Sequence, residues 1–129
     1  MSEGKPIHFE NATPILRVED MAAAVKYYVE VLGFEEAEWG NDNFSNVSRD
    51  NAGIYLVRGE PGHPGTWVWV GVSDAQALYE EFKAKGARLH HAPRNYSWAL
   101  EMHVEDLDGN ILRFGSDPLK DRPYEAWMV

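Results

Sequence analysis

The sequence predicts an α+β fold built from two tandem βαβββ modules, and three observations carry that prediction. A strand, a helix and three further strands can be traced twice along the chain. Val18 and Val72, Asp20 and Asp74, and Ala23 and Ala77 are identical pairs, each separated by 54 positions, and Tyr28 and Phe82 match in kind at the same spacing. Apolar residues alternate along the strands, so each module has one apolar sheet face that needs cover from a second unit.

Residues 13–18 (TPILRV) read as the first strand. Glu19 and Asp20 open a helix, with the Asp20 carboxylate placed to accept from the free N–H groups of the first turn. Over residues 21–32 the apolar positions Met21, Ala24, Val25, Tyr28, Val31 and Leu32 recur at helical spacing. Gly33 then supplies a left-handed stop. Strands over 34–39, 44–49 and 53–58 follow, parted by turn-rich stretches at 40–43 and 50–53. Residues 60–65 (EPGHPG) break regular structure and read as the linker at the midpoint. The second module repeats the order: a strand over 66–72, a Ser73-Asp74 cap, and a helix over 75–85 with Leu78, Tyr79 and Phe82 inward. Gly86 stops that helix, and strands over 87–91, 99–105 and 111–114 complete the module, the last two joined by a tight turn at Asp108, Gly109 and Asn110. The expected organisation is one domain over residues 1–129, with module 1 at about 12–59, module 2 at about 66–117 and a tail at 118–129.

Bulk composition fits this size. The 129 residues are 44% hydrophobic and 26% charged, enough for one core and too few for two. No apolar run approaches the roughly 20 residues of a spanning helix, and residues 1–10 contain no apolar leader. The absence of cysteine excludes disulfides, thiolate zinc sites and cysteine nucleophiles. A cytoplasmic protein is the expectation. The net charge of −9, from 12 basic and 21 acidic residues, argues against nucleic acid as a partner. It serves solubility or draws in a cationic small molecule.

Strand alternation sorts the side chains. Leu16 and Val18 belong under the helix, which sends Thr13, Ile15 and Arg17 to the opposite face; the same count places Tyr55, Trp67, Trp69 and Arg113 there. Helix-side positions are already supplied by residues such as Ile54, Leu56, Val68, Val70, Met102, Val104, Leu112 and Phe114. The second face therefore lines something. With Trp39 at the end of the second strand, Phe44 after the next turn and Trp98 before the seventh strand, an aromatic cleft for a flat or cationic ligand is the functional reading, and core filling the bland one. His90, Glu101, His103 and Glu105 combine donor types that suit zinc or iron, against the plainer reading of a solvated polar strand face. His90 and His91, taken as strand neighbours, point oppositely and cannot chelate together. No serine elbow and no glycine-rich phosphate loop occurs.

The segments Val18-Glu-Asp20, Tyr27-Tyr28, Leu32-Gly33-Phe34 and Asp106-Leu-Asp-Gly-Asn110 resemble those of the glyoxalase/bleomycin-resistance/extradiol-dioxygenase, or vicinal-oxygen-chelate, superfamily. The likeness spans about residues 12–117, with Leu107 where the family has proline. It implies half-barrel sheets with the site on the concave face, commonly in a homodimer. The family's metal positions fall on Thr13, Tyr55, Trp67 and Arg113, none of them a good ligand, so the resemblance implies neither that metal nor another cofactor. Within the superfamily the chain is most similar to the bleomycin-resistance, antibiotic-binding proteins. The shared features are Thr13-Pro14, Asp42-Asn-Phe44, residues 47–50, Trp67-Val-Trp-Val70, and Trp98 followed by Glu101. This implies a non-catalytic protein of antibiotic resistance that sequesters a planar ligand, with Trp39, Phe44 and Trp98 stacking and Tyr55, Trp67, Trp69, Glu101, His103 and Arg113 completing the site. The net charge favours a cationic ligand, whereas Arg113 favours a carboxylate on it. The alternatives are a divergent lyase, isomerase or dioxygenase using a relocated metal at His90, Glu101 and His103 or an acid/base pair, and an accessory protein without a small ligand. The tail, with Tyr124, Trp127 and Met128, is expected to pack on the body or on a second copy.

Overall fold

A computed structural model describes residues 6–59 and 63–125. Its first module comprises β1 (Ile15–Val18), α1 (Met21–Lys26), β2 (Glu35–Glu36), β3 (Phe44–Arg49) and β4 (Ala52–Arg58). The second comprises β5 (Trp67–Gly71), α2 (Ala75–Ala84), β6 (Arg88–Leu89), β7 (Arg94–Asn95), β8 (Leu100–Glu105) and β9 (Ile111–Ser116). The expected α+β duplication is present. One sheet runs β1-β4-β3-β2, the other β5-β9-β8-β6 with β7 also on β8. In each, the strand before the helix pairs in parallel with the last strand of its module, Ile15 opposite Tyr55 and Trp69 opposite Arg113. The two N-caps are identical in chemistry: Asp20 accepts from the Ala23 N–H at 3.1 Å and Asp74 from the Ala77 N–H at 2.9 Å.

Alternation turns Leu16, Val18, Val47, Ile54 and Leu56 of one sheet, and Met102, Val104, Leu112 and Phe114 of the other, into one shared core with Tyr28 and Phe82. The modules are also tied by buried polar contacts. The Tyr28 hydroxyl donates to Asp106 Oδ2 at 2.8 Å, and the Tyr27 hydroxyl donates to the Glu105 carbonyl while accepting from the Arg88 N–H. Burial raises the pKa of both phenols, that of Tyr28 well above its ordinary value. Asp106 also holds the 106–110 turn, accepting from the N–H groups of Asp108 and Asn110 and from Asn110 Nδ2.

Several expected boundaries move. The helix over 21–32 is α-helical only to Lys26, and Tyr27–Val31 form a π turn. The wider turn lets both adjacent tyrosines, rather than Tyr28 alone, point into the core. The strand over 34–39 shrinks to Glu35–Glu36 because Phe34 is drawn into the core edge-on to Tyr28 and a turn begins at residue 38. Trp39 therefore lies in that turn, not on a strand. The strand over 87–91 stops at Leu89, leaving His90 and His91 in bends, and Arg94–Asn95 form a short strand the pattern did not suggest. The tail is anchored where it is described: Asn95 Nδ2 donates to the Leu119 carbonyl, and the Glu125 N–H donates to the Asn95 carbonyl. Trp127 and Met128 lie outside the described residues. Among those residues, no helix is long and apolar enough to cross a membrane.

Candidate functional site

The candidate side chains gather on the sheet faces turned away from the helices, in two groups, one per module. In the first, β3 and β4 place Phe44 and Tyr55 side by side with ring centroids 5.1 Å apart, and the turn at residue 38 lays Trp39 over Phe44 at 5.8 Å and 23°. Trp39 also contacts Tyr55 at 6.3 Å. A three-ring stack results, its outer indole 54% exposed.

The second group is organised by a carboxylate. Glu101 on β8 is fully buried and accepts four hydrogen bonds. Oε1 accepts from Arg113 Nη2 at 2.6 Å and Nε at 3.2 Å; Oε2 accepts from the indole N–H of Trp69 at 2.9 Å and of Trp98 at 3.0 Å. Burial alone would raise the Glu101 pKa, but the bonds from Arg113, Trp69 and Trp98 and the guanidinium charge reverse this and leave it below its ordinary value. The carboxylate stays ionised, and it fixes two indole rings by their polar edges. Trp69 is also held from below. Gly71 and Gly115, paired across β5 and β9, form its floor, and a Cβ at Gly115 would come within 2.7 Å of the ring. Trp98 stacks on the buried ring of Tyr96 at 4.7 Å and 6°. Sequence reasoning missed Tyr96; the one available signal is its spacing of two from Trp98.

His103, two residues after Glu101 and opposite Arg113, is buried. Its ring meets Trp67 edge-on at 5.8 Å, His91 at 4.8 Å and His90 at 6.4 Å. Both rings lie near His103 because His90 and His91 follow the end of β6, where strand alternation no longer governs them. Burial, with the neighbouring His91 and Arg113 charges, lowers the His103 pKa to about 4 against the pull of Glu101, so the imidazole is neutral at physiological pH. His90 Nε2 is 3.0 Å from Glu105 Oε1, and His91 Nδ1 is 2.8 Å from the Ala92 carbonyl.

The family's metal does not fit this arrangement. Of the four positions, Arg113 is a cation spent on Glu101, and Thr13, Tyr55 and Trp67 offer no strong donor. The relocated set is no better placed, since Glu101 is committed to four donors. Among the described residues, no three His, Asp or Glu side chains are gathered closely enough to hold a metal ion. The carboxylate expected to meet Arg113 from a ligand is supplied within the chain, by Glu101. A groove of about 760 Å³ runs along β5 and α2 beside the β3–β4 turn and includes only Trp69 of the expected residues. Apart from Trp69, the two aromatic groups lie outside that groove.

The family model for the Glyoxalase/Bleomycin resistance protein/Dioxygenase superfamily matches residues 7–114. A comparison with curated protein sequences finds no match. Among solved structures, the bleomycin-binding protein from bleomycin-producing Streptomyces verticillus, complexed with copper(II)-bleomycin, superposes with a TM-score of 0.70 at 28% identity, over 86% of this chain and 98% of that one. TioX from Micromonospora sp. ML1 gives 0.71 at 24% identity, over 83% and 98%. TnmS3, an antibiotic binding protein from Streptomyces sp. CB03234, gives 0.71 at 21% identity, over 88% and 100%.

Proposed function

The chain belongs to the Glyoxalase/Bleomycin resistance protein/Dioxygenase superfamily, and from that premise we propose that it is a non-catalytic binding protein that sequesters a planar aromatic small molecule, antibiotics included, without altering it. One observation carries the reading. Trp39, Trp67, Trp69 and Trp98 are each 45–58% exposed although two of them are pinned by a buried carboxylate. Indoles fixed in place yet left open to water are costly to a fold that needs only a core, and they suit a flat ligand that stacks. The likeness to a bleomycin-binding protein at 28% identity supports the ligand class.

The groups available for chemistry argue the same way. Glu101 has no free lone pair with which to take a proton, and an imidazole with a pKa of about 4 is a weak base at neutral pH. The exposed aromatic faces and the edges of β1 and β5, which carry no further strand among the described residues, also support a homodimer in which the stack of one copy closes over the indoles of the other.

Titrating the protein with a bleomycin-type drug and with planar polycyclic compounds, read by tryptophan fluorescence and calorimetry, tests the binding. Trp98→Ala is expected to weaken a confirmed ligand by about 1–3 kcal/mol, the worth of one stacked ring. Unchanged affinity would refute the site. Light scattering should give twice the chain mass of 14.7 kDa; a monomer across micromolar concentrations would remove the dimer from the proposal.

A further inference from the structure

Three imidazoles meet on the second face, and their surroundings decide which nitrogen carries the proton. His103 Nε2 is sealed from solvent, has no hydrogen-bond partner among the described residues and lies 3.6 Å from Glu101 Oε1, too far for a full bond. A lone pair there would face a carboxylate oxygen, whereas an N–H is drawn to it. The proton therefore sits on Nε2, and Nδ1 keeps the lone pair. His91 is fixed the other way round. Its Nδ1 lies 2.8 Å from the Ala92 carbonyl, which only accepts, so the proton sits on Nδ1 and Nε2 keeps the lone pair. The third ring, His90, meets Glu105 through Nε2 at the rim and lies 6.4 Å from His103.

The two remaining lone pairs are unpartnered but not sealed. Among the described residues no donor reaches His103 Nδ1 or His91 Nε2, and neither atom is closed off from water. The two rings lie 4.8 Å apart, and the exposed indole of Trp67 meets His103 edge-on at 5.8 Å. An open stacking surface thus stands beside a pair of acceptors. Burial lowers the pKa of His91 against its bond to Ala92, and burial with the nearby cations lowers that of His103 to about 4, so both nitrogens keep their lone pairs at physiological pH. The charges around the pair are Glu101, Arg113 and Arg94, with Glu105 beyond His90, and Glu101 and Arg113 cancel each other. An anionic oxygen would meet two lone pairs there, whereas an N–H would be accepted. Arg113 spends Nε and Nη2 on Glu101 and keeps Nη1 as a donor, so a carbonyl next to that N–H is also accommodated.

We infer that His103 and His91 set the specificity of the second-module face, Nδ1 of the first and Nε2 of the second accepting from an N–H group carried by the planar ligand, as in an aromatic carboxamide. This rests on the proposed binding function and names the chemical class of its ligand.

Calorimetry on the full chain with 2-naphthamide and methyl 2-naphthoate tests it, because these flat probes share ring and carbonyl and differ in the N–H. The wild type should bind the amide more tightly by about three- to tenfold, the worth of one neutral hydrogen bond. His103→Phe should bind the two probes equally. His91→Phe, in a bend outside the strands, should narrow the difference without disturbing the sheet. Nitrogen NMR should find the proton of His103 on Nε2 and that of His91 on Nδ1, and adding the amide should move the signals of the two unprotonated nitrogens. Equal or tighter binding of the ester, an amide preference that survives both substitutions, or the opposite tautomers would overturn the assignment yet leave the binding function standing. If neither flat probe binds the wild type, both fall.

Discussion

Replacing Glu101 by glutamine tests the organisation of the site most severely. The carboxylate is fully buried and each of its oxygens receives two donors, while Arg113 is only 18% exposed. Glutamine keeps the shape, but its amide must turn an NH2 toward either the guanidinium or the two indoles, all of which are donors. Removing one partner of a buried pair costs about 3–5 kcal/mol. Arg113 retains some access to water, so the lower end, about 3 kcal/mol, is expected. For a chain of this size that corresponds to a melting temperature lower by roughly 10 °C. Near-UV circular dichroism should weaken at the same time, because Trp69 and Trp98 lose the bonds that orient them. Denaturant unfolding of Glu101→Gln, Arg113→Met and the double variant separates the pair from its surroundings, and a coupling energy above about 1.5 kcal/mol is expected. A loss below about 1 kcal/mol in Glu101→Gln, or coupling within about 0.5 kcal/mol of zero, would show that the carboxylate does not hold the face together.

Three further outcomes are expected. Gly115→Ala places a Cβ 2.7 Å from the Trp69 ring, which is pinned at its N–H and cannot easily move. It should cost about 1–3 kcal/mol by thermal melting, and much less in a Trp69→Ala background. Tyr28→Phe removes the hydroxyl bonded to Asp106 across the modules and should cost about 1–2 kcal/mol in denaturant unfolding. Acid should act through His103: its folded pKa of about 4 lies below the ordinary 6.5, so the unfolded chain binds the extra proton between those values. Stability is then present in full above about pH 6.5 and is lost as the pH falls toward 4, by on the order of 2 kcal/mol between about pH 7 and pH 5. His103→Phe should flatten that part of the profile.

What could be read from the sequence follows the range of the interactions. The caps, the helices, the duplication and the sidedness of Leu16, Val18, Trp67 and Trp69 are set by neighbours within a few residues, and alternation or spacing exposes them. The π turn at Tyr27–Val31 is set instead by hydroxyl partners 61 and 78 positions away, Arg88 and Glu105, which no local window contains. The short second strand has the same origin, since Phe34 obeys the core and not the strand period. In the candidate site, residue identities were legible but their partners were not. Arg113 looked like an unpaired cation because Glu101 reaches it only through antiparallel pairing of β8 and β9. Trp69 looked like a wall and is also a donor to a carboxylate 32 positions on.

The duplication itself accounts for where the site lies. Helix-side positions have stayed alike between the modules: Leu16 corresponds to Val70 and Val18 to Val72, because both must fill one shared core. The opposite face has no such constraint, and there the modules have parted. Thr13 corresponds to Trp67 and Ile15 to Trp69 at the same spacing of 54. Register extends the comparison to the other strands. Tyr55 lies opposite Ile15 as Arg113 lies opposite Trp69, and Asn46 lies opposite Tyr55 as His103 lies opposite Arg113. Two residues earlier, Phe44 takes the place of Glu101. Every charged or titratable member of the second face thus has an uncharged counterpart on the first: phenylalanine for glutamate, asparagine for histidine, tyrosine for arginine. One module carries an aromatic stack, and the other carries indoles set around a buried carboxylate. The two faces thus differ in chemistry although their strands correspond in register.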